Sequence, residues 1–448
     1  MKPTSIQIIE ILKKAGHEAY WAGGCVRDML LGVEPKDFDI VTSAKPDEIE
    51  DLLEHTIPIG KEFGVILAVQ NGHNFEVATF RSDSGYSDGR RPDAIEYTNA
   101  EEDAKRRDFT INSMFYDPQE DKVIDYLDGQ KDMKEKLVRF IGDPEERIKE
   151  DHLRLLRAVR FKNNFDFQYH PDTYKAIHKN AHLISKISKE RIRDELNKMI
   201  MGDNAEKGFE ELYELGLLEH ILPEACKMKG VAQPSIYHHE GDVWEHSLLA
   251  LKNLTDEDFD PDPLPEEISL NLRWATFLHD VGKPDTFKYD EERIRFDHHA
   301  EHGAELATQI LKRLKFPKKG IERVAWLIEH HMMVVPLMEM PENRKKHWFL
   351  LDGFPELLEI YRADALGIDP PDLSAYHTLK RLYKHQIAEL KLLPKKLISG
   401  TEIMKILDIK AGEKIGQILE QVWEEQLDGK IKTKKDAIDF VTKLKGKN

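Results

Sequence analysis

Two hydrophobic periods run along the chain. Up to about residue 130, strand-like alternation mixes with helical spacing; beyond it only the helical period of 3.6 persists. The opening "MKPTSIQIIEILKKAG" sets Ile and Leu at helical spacing and predicts a first helix, too polar for a secretory signal. "HEAYW" predicts a strand, "GGCVRDMLLG" a short helix, "DFDIV" a strand and "KPDEIEDLLEH" a helix. "GVILAVQ" and "NFEVATF" flank the turn signal "NGHN" and predict a hairpin. "RSDSGYSDGRRPDA", rich in Gly, Ser and Asp, predicts a mobile loop, and "VIDYLDG" one more short strand. From Asp132 on, "EDHLRLLRAVRFKNNF" and "KERIRDELNKMI" predict amphipathic helices with basic outer faces. The acidic, proline-rich "DEDFDPDPLPEE" (256–267) breaks the next helical region, and "PKKLISGTEIMK" opens a last small helical unit. There is no internal repeat. The expectation is an α+β chain, a small mixed sheet with helices followed by all-helical parts.

Composition narrows the class. With 448 residues, 40% hydrophobic and 33% charged, the chain is a soluble protein of several domains. Cys25 and Cys226 lie far apart, so neither a disulfide framework nor a thiolate metal site is expected, and a reducing cytoplasm is. No apolar run reaches the roughly 18 residues of a membrane span. The net charge of −17 argues against indiscriminate nucleic-acid binding. It is unevenly spread: residues 131–200 carry 17 Lys/Arg against 12 Asp/Glu, and 376–448 carry 16 against 10. A basic middle and tail on an acidic body suit an elongated RNA held along selected surfaces; chance asymmetry is the plain alternative.

The stretch 22–42, "AGGCVRDMLLGVEPKDFDIVT", carries the first candidate chemistry. Residues i and i+2 of a strand share a face, so Asp37 and Asp39 project together while Phe38 and Ile40 pack the other way. Adjacent carboxylates in a half-buried strand repel each other and need a cation. Mg²⁺ suits them, because it takes one or two carboxylates plus substrate phosphates. Glu76 in "FEVATF" is a third candidate if its strand lies alongside, and three carboxylates suit two ions and in-line displacement at a nucleotide α-phosphate. Gly23 and Gly24 at a helix start let backbone N–H groups approach a triphosphate. Asp-x-Asp alone is most often a solvated turn; the Gly-Gly, Arg27-Asp28 and Leu-Leu-Gly ahead of it reverse that weighting.

"GGCVRDMLLG…DFDIVT", "RRDFTINSMFYD", "DYLDGQKD", "RIKEDHLRLLRAVRF" and "ERIRDELNKM" follow one another over residues 18–200. In this order they resemble the motifs of the bacterial (class II) tRNA nucleotidyltransferases: CCA-adding enzymes, their A-adding and CC-adding relatives, and the related bacterial poly(A) polymerases. The resemblance implies a polymerase-β-like nucleotidyltransferase head (1–135) and an all-α neck with the nucleotide-selecting and RNA-binding surface (136–225). A metal-dependent HD-type body (226–375) and a small helical tail contacting tRNA (376–448) complete it. It makes Asp37 and Asp39 the ligands of catalytic Mg²⁺ and sets Arg106, Arg107 and Asp108 against the nucleotide's phosphates and ribose. Paired arginines are strong phosphate ligands in their own right, or else a basic surface pair. Asp125 falls in a motif that couples head and neck. The long loop 81–94 is associated in this family with switching to ATP, which disfavours a CC-only enzyme and leaves CCA-adding and A-adding open.

A helical "KEDHLRLLRAVRF" sets Asp151 and Arg154 at i, i+3 on one face. The plain reading is a surface ion pair. The other is base selection: cytosine and adenine both offer an exocyclic amino donor beside a ring-nitrogen acceptor, which Asp and Arg complement. Guanine and uracil reverse the pattern and leave buried groups unpaired. The family's EDxxR motif matches Glu150, Asp151 and Arg154 and carries that role. Arg157 and Arg160, one and two turns on, face phosphate or ribose, or flank the site.

A second constellation reads "YHHEGDVWEHSLLAL", "FLHDVGK", "FDHHAEHGAEL", "IEHHMM" and "YRADALG". A lone His on a helix is more often a satisfied core residue; here imidazoles and carboxylates recur on successive predicted helices. Mixed ligands of this kind suit Mg²⁺, Mn²⁺, Ni²⁺ or Fe²⁺. Adjacent helical residues point about 100° apart, so His279 and Asp280 can both reach one ion. The pattern resembles the HD phosphohydrolase superfamily, whose H…HD…D maps on His246, His279, Asp280 and Asp364, with His302 and His330 or His331 (His331 preferred) as second-ion ligands and Lys283 against phosphate. Phosphatase or 2′,3′-cyclic phosphodiesterase activity is implied.

These readings converge on a template-independent enzyme that adds the terminal A or the whole CCA to a tRNA 3′ end from ATP, with or without CTP. The partners expected are tRNA and nucleotides, with no membrane and no obligate protein partner. The alternatives are a poly(A) polymerase and an HD phosphohydrolase with an RNA-binding front domain.

Overall fold

The computed structural model describes residues 1–86, 89, 92–233, 241–254, 264, 267–290, 293–368, 370–390, 397–410, 412–427 and 429–445. The pair His238 and His239 lies outside them, as do most of the acidic break at 256–267 and the start of "PKKLISGTEIMK". The chain divides into two units, Met1–Pro223 and Glu224–Asn448. The first mixes strands and helices; among the described residues the second is helical apart from one hairpin, Phe287–Asp290 with Arg293–Phe296.

The described strands of the first unit are β1 (Ala19–Ala22), β2 (Ile40–Thr42), β3 (Thr56–Gly60), β4 (Val65–Gln70), β5 (His73–Thr79), β6 (Arg81–Ser84), β7 (Ala94–Tyr97), β8 (Phe115–Asp117), β9 (Lys122–Ile124) and a short parallel pair, β10 (Leu137–Val138) with β11 (Gln168–Tyr169). Seven of them form a sheet in the order β3-β4-β5-β2-β1-β8-β9. β3 and β8 escaped the sequence reading, being short and weakly alternating. The "NGHN" hairpin forms as expected: Gln70 pairs with His73, and Asn71 and Gly72 take the two positive-φ positions of a tight turn, φ 52° and 76°. The expected mobile loop is corrected in part. β6 and β7 pair from Arg81↔Tyr97 to Ser84↔Ala94, and residues 87, 88, 90 and 91 lie outside the described set.

Apolar packing orients the Asp-Phe-Asp stretch. The hydrogen-bond ladder of β2 begins only at Ile40, yet alternation already governs the three residues before it: Phe38 and Ile40 are buried, Asp37 and Asp39 exposed. The Phe38 ring lies 4.8 Å from that of Trp21, which also stacks on Tyr116 at 5.4 Å. The Asp39 carbonyl accepts from the Ala22 N–H at 3.0 Å and continues the β1–β2 pairing. With Phe38 anchored, both aspartates must emerge on the opposite face.

Further helices complete the first unit, but the one expected over "KEDHLRLLRAVRF" is two. Pro144–Glu150 ends with Asp151 extended (φ −142°, ψ 105°), and Arg154–Asn164 starts afresh. In the second unit the tail helices Gly400–Leu407, Glu413–Leu427 and Lys434–Lys445 share a separate apolar core around Ile403, Ile418, Val422 and Val441. Among the described residues no helix is long and apolar enough to cross a membrane.

Candidate nucleotide cavity and histidine centre

The exposed face of the first unit's sheet carries three carboxylates. β2 runs parallel to β5 with Ile40 opposite Val77, so one residue back along each strand Asp39 comes beside Glu76. Asp39 reaches solvent only through the cleft, and the protein crowded around it first, then the Glu76 charge, pushes its carboxyl up to about 6; Arg107 pulls the other way and Asp37 adds to the rise. A carboxylate raised by the protein packed around it and by like-charged neighbours is one that a divalent cation relieves. This donor set fits Mg²⁺.

Asp39 opens onto a cavity of ≈ 520 Å³. Eight arginines and four aspartates line it among the described residues, an excess of positive charge matched to a triphosphate. Gly23, Gly24, Arg27, Arg106, Arg107, Asp108, Asp151, Arg154, Arg157 and Arg160 all contribute; Asp37 and Glu76 do not line it, but their charges act on Asp39. Gly23 has φ 68°, and a Cβ there would stand 3.0 Å from Arg107 Nη1, so the glycine both turns the chain out of β1 and leaves room for that guanidinium.

Each arginine is held by an acid. Asp103, buried, pairs with Arg106 at 2.7 Å and Arg107 at 3.0 Å. Arg27 donates to Asn112 at 2.7 Å and lies over the Phe165 ring at 4.5 Å. Arg157 pairs with Asp108 at 2.5 Å, and Arg160 with Glu195 at 2.7 Å. Burial alone would raise the Asp108 carboxyl, but the Arg157 and Arg154 charges outweigh it and hold it down at about 2. A guanidinium has five N–H donors, so one ion pair leaves others for phosphate.

The expected Asp151–Arg154 face is corrected. With the helix broken between them, Asp151 takes both Nη atoms of Arg191 at 3.0 and 2.8 Å, and Arg154 reaches back to Glu150 at 2.6 Å and the Arg147 carbonyl at 2.7 Å. Both still line the same cavity. Sequence reasoning passed over Arg191, although it stands in the quoted "ERIRDELNKM", and also Arg81, Asp83, Tyr86 and Asn112. Asp125 accepts three backbone N–H groups, from Leu127, Gly129 and Gln130, and so caps the helix Gly129–Lys134.

The second unit gathers its imidazoles and acids into two groups, His246 with His279 and Asp364, and Asp280 with His299 and His331, the ligand atoms within each lying within 4.8 Å of one another. Asp280 faces both: Oδ2 is 3.2 Å from His279 and 3.8 Å from His246, and Oδ1 is 3.5 Å from His299 and 3.9 Å from His331. The Nδ1 atoms of His279, His299 and His331 sit 2.7, 2.9 and 2.7 Å from the carbonyls of Thr276, Phe296 and Ile328. Those contacts leave Nε2 as the free ligand atom of each ring. The buried His279 Nε2 has no well-aligned hydrogen bond. Burial first, then the neighbouring rings, pushes His331 down to about 4, so it is a neutral ligand. Burial opposes ionisation of Asp280, yet His279 and Lys283, whose Nζ is 2.6 Å away, hold it well below the usual range. These two donor groups, which Asp280 faces from between, would suit divalent cations.

Two expectations change here. The helix Leu270–Leu278 ends before His279, so the His-Asp pair occupies its cap and the turn beyond. His302 is not in the centre; it points to Asp285 at 3.2 Å, and His299 takes its place. His330 stacks on Trp326 at 4.9 Å, which leaves His331 as the inward ring.

Residues 19–139 match the family described as Poly A polymerase head domain, 166–229 the probable RNA and SrmB-binding site of polymerase A, and 243–366 the HD domain. The chain is 44% identical over 217 residues to a protein named CCA-adding enzyme from Ligilactobacillus salivarius, covering 48% of this chain and 54% of that one. The chain thus spans about half the length of that relative. The CCA-adding enzyme of Bacillus subtilis is 29% identical over 445 residues, 99% of this chain and 98% of its own length. The fold is that of the Bacillus stearothermophilus CCA-adding enzyme crystallised with CTP (TM-score 0.69, 24% identity, 98% of this chain and 96% of that). The Thermotoga maritima CCA-adding enzyme complexed with tRNA is also similar (TM-score 0.55, 21% identity, 98% and 94%).

Proposed function

We propose that this chain is a template-independent tRNA nucleotidyltransferase that builds the 3′-terminal CCA of tRNA from CTP and ATP. The observation that carries it is the arginine-lined cavity opening onto Asp39 beside Glu76. The 3′-hydroxyl oxygen of the RNA forms a bond to the α-phosphorus, the bond from that phosphorus to the bridging oxygen breaks, pyrophosphate leaves, and the hydroxyl proton passes to water. Mg²⁺, when bound by Asp37, Asp39 and Glu76, supplies charge neutralisation at the phosphates and an acidified attacking hydroxyl. Arg106, Arg107, Arg157 and Arg160 hold the triphosphate and ribose. Asp151 and Arg154 read the base edge: Arg191 fixes the Asp151 carboxylate, whose remaining lone pairs accept the amino group of C or A, while Arg154 donates to the ring nitrogen. The neck and tail hold tRNA by backbone and shape. A cytoplasmic setting agrees with the two free cysteines, Cys25 buried.

The test incubates the protein with tRNA ending at the discriminator base and with tRNA ending in CC, each with CTP, ATP or both. Full CCA on the first substrate is expected. Addition of A alone, only to the CC end, makes it an A-adding enzyme; long A tracts make it a poly(A) polymerase. If Asp39→Ala leaves every measurable activity intact, the head is only an RNA-binding front.

The second unit favours a further reading, a phosphohydrolase at the His246–Asp364 and Asp280–His331 groups. Its divalent ion is one of Mg²⁺, Mn²⁺, Ni²⁺ or Fe²⁺. Release of phosphate from an RNA 3′-phosphate, or opening of a 2′,3′-cyclic end to a phosphomonoester, abolished in Asp280→Ala, supports it; neither reaction with any of the four ions rejects it.

A further inference from the structure

Arg147 is buried and does not line the nucleotide cavity, yet its guanidinium joins two of the cavity's walls. One wall is the chain that follows the helix Ala100–Lys105, with Arg106 as the C-cap and Arg107 next. Carbonyls at a helix end have no donor within the helix and take one from elsewhere. Arg147 Nη2 donates to the carbonyls of both Arg106 and Arg107. The other wall is the base-reading edge. Arg147 Nη1 donates to Glu150 Oε2 at 2.5 Å, and the same oxygen accepts from Arg154 Nη1 at 2.6 Å. Arg154 closes the ring by donating from Nη1 to the Arg147 carbonyl at 2.7 Å. Two guanidinium groups against one carboxylate leave a net positive charge, because a carbonyl accepts an N–H without cancelling its charge. The Nε of Arg147 is buried with no partner. An unpaired buried N–H is costly, so the Nη contacts, not full satisfaction of the group, set where this side chain sits.

We infer that Arg147 is a positioning residue that couples base selection to triphosphate holding. One of its nitrogens grips the backbone under Arg106 and Arg107, the other the Glu150–Arg154 pair, and so it fixes the spacing between phosphate-holding and base-reading groups. The inference rests on the nucleotidyltransferase reading of the cavity. A nucleotide whose base fits Asp151 and Arg154 finds the phosphate arginines at the matching distance. One whose base does not fit displaces Arg154, and with it Glu150, Arg147 and the two carbonyls. A frame of this kind makes a wrong base cost turnover as well as affinity, since misplacing the reacting atoms by about 1 Å can cost about a hundredfold.

The test uses the full chain with tRNA ending in CC. In Arg147→Lys an ammonium replaces the fork and cannot span the three acceptors. Its ratio of kcat/KM for ATP over GTP should fall by about fivefold or more. Its inhibition constant for tripolyphosphate, which carries no base, should rise by about fivefold or more. Glu150→Gln should lower the ratio but leave tripolyphosphate inhibition within about twofold of wild type, because Arg147 still holds the carbonyls. In the double variant the two losses of ratio should not add, since both act on Arg154 through one contact. A residue that only stabilises the fold would lower the unfolding temperature and move neither quantity. An Arg147→Lys protein in which either quantity keeps its wild-type value overturns the inference, as does a wild-type ratio in Glu150→Gln or additive losses in the double variant. Should Arg147→Lys fail to fold, hydrogen exchange on the wild type decides. Saturating tripolyphosphate should slow amide exchange in the helix Pro144–Glu150 as well as in residues 104–108. Protection confined to 104–108, or absent from both, overturns the inference and leaves the nucleotidyltransferase reading standing. If the wild type adds no nucleotide to any tRNA end, that reading falls instead, and the exchange experiment alone decides the coupling.

Discussion

Arg191 holds both carboxylate oxygens of Asp151 across the nucleotide cavity, at 3.0 and 2.8 Å. A bidentate guanidinium fixes the plane of a carboxylate as well as its charge. Arg191→Ala should therefore let Asp151 rotate and relax base choice. The ratio of kcat/KM for ATP over GTP is expected to fall by about tenfold or more, with kcat for ATP changed less. Arg191→Lys should recover only part, since an ammonium cannot make the paired contact. An unchanged ratio in Arg191→Ala removes Asp151 from base selection.

The Asp108–Arg157 pair makes a pH-dependent contribution to folding. The Asp108 carboxyl sits at about 2 in the fold against 3.8 ordinarily, so the unfolded chain binds more protons between these values. The stabilisation, roughly 2 kcal/mol, is complete above pH 4 and is lost as pH falls towards 2. Asp108→Asn should cost about that much in urea unfolding of the first unit at pH 7. Its deficit should shrink below pH 4; a constant deficit there contradicts the pairing.

Metal content separates His299 from His302. His299→Ala removes a ligand of the Asp280 group and should lower the bound divalent ion measured by elemental analysis, weakening affinity about 10- to 100-fold or more. His302→Ala should leave the content at the wild-type level. The reverse pattern would restore the sequence expectation.

The two centres should fail separately. Asp39→Asn is expected to reduce nucleotide addition by about a thousandfold or more with phosphate release unaffected, and Asp280→Ala the converse. Radiolabelled end addition and phosphate release, assayed on the same preparations, check both.

Phe38 links the core to the site. Phe38→Ala should destabilise the first unit by about 3–5 kcal/mol, because the cavity it leaves lies against Trp21. Phe38→Leu should cost less and retain more nucleotide addition, because it still fills part of the space that holds Asp37 and Asp39 on the far face.

Much of this protein was readable from residue order. The two-residue period of Asp37-Phe38-Asp39-Ile40 already assigns faces, since a strand offers only two. The "NGHN" turn sets the register of its hairpin, because a two-residue loop leaves no slack. Recurring imidazoles and carboxylates marked a second centre, and resemblance to the HD pattern singled out His279, Asp280 and Asp364 within it.

Tertiary structure decided the rest, where local signals were equal or absent. His299 and His302 share one helix a turn apart, and packing against the neighbouring helices determines which ring turns inward. No breaker residue marks the end of the helix at Glu150; the long-range pair of Asp151 with Arg191 holds the break, and Arg154 reaches back locally to Glu150. The β6–β7 ribbon has poor strand propensity, and Arg81 ties it down by donating to the Phe63 carbonyl and Asp83. Periodicity reports which face a residue takes within its own element. Which element that face meets depends on contacts between residues far apart in sequence, and local pattern carries no record of them.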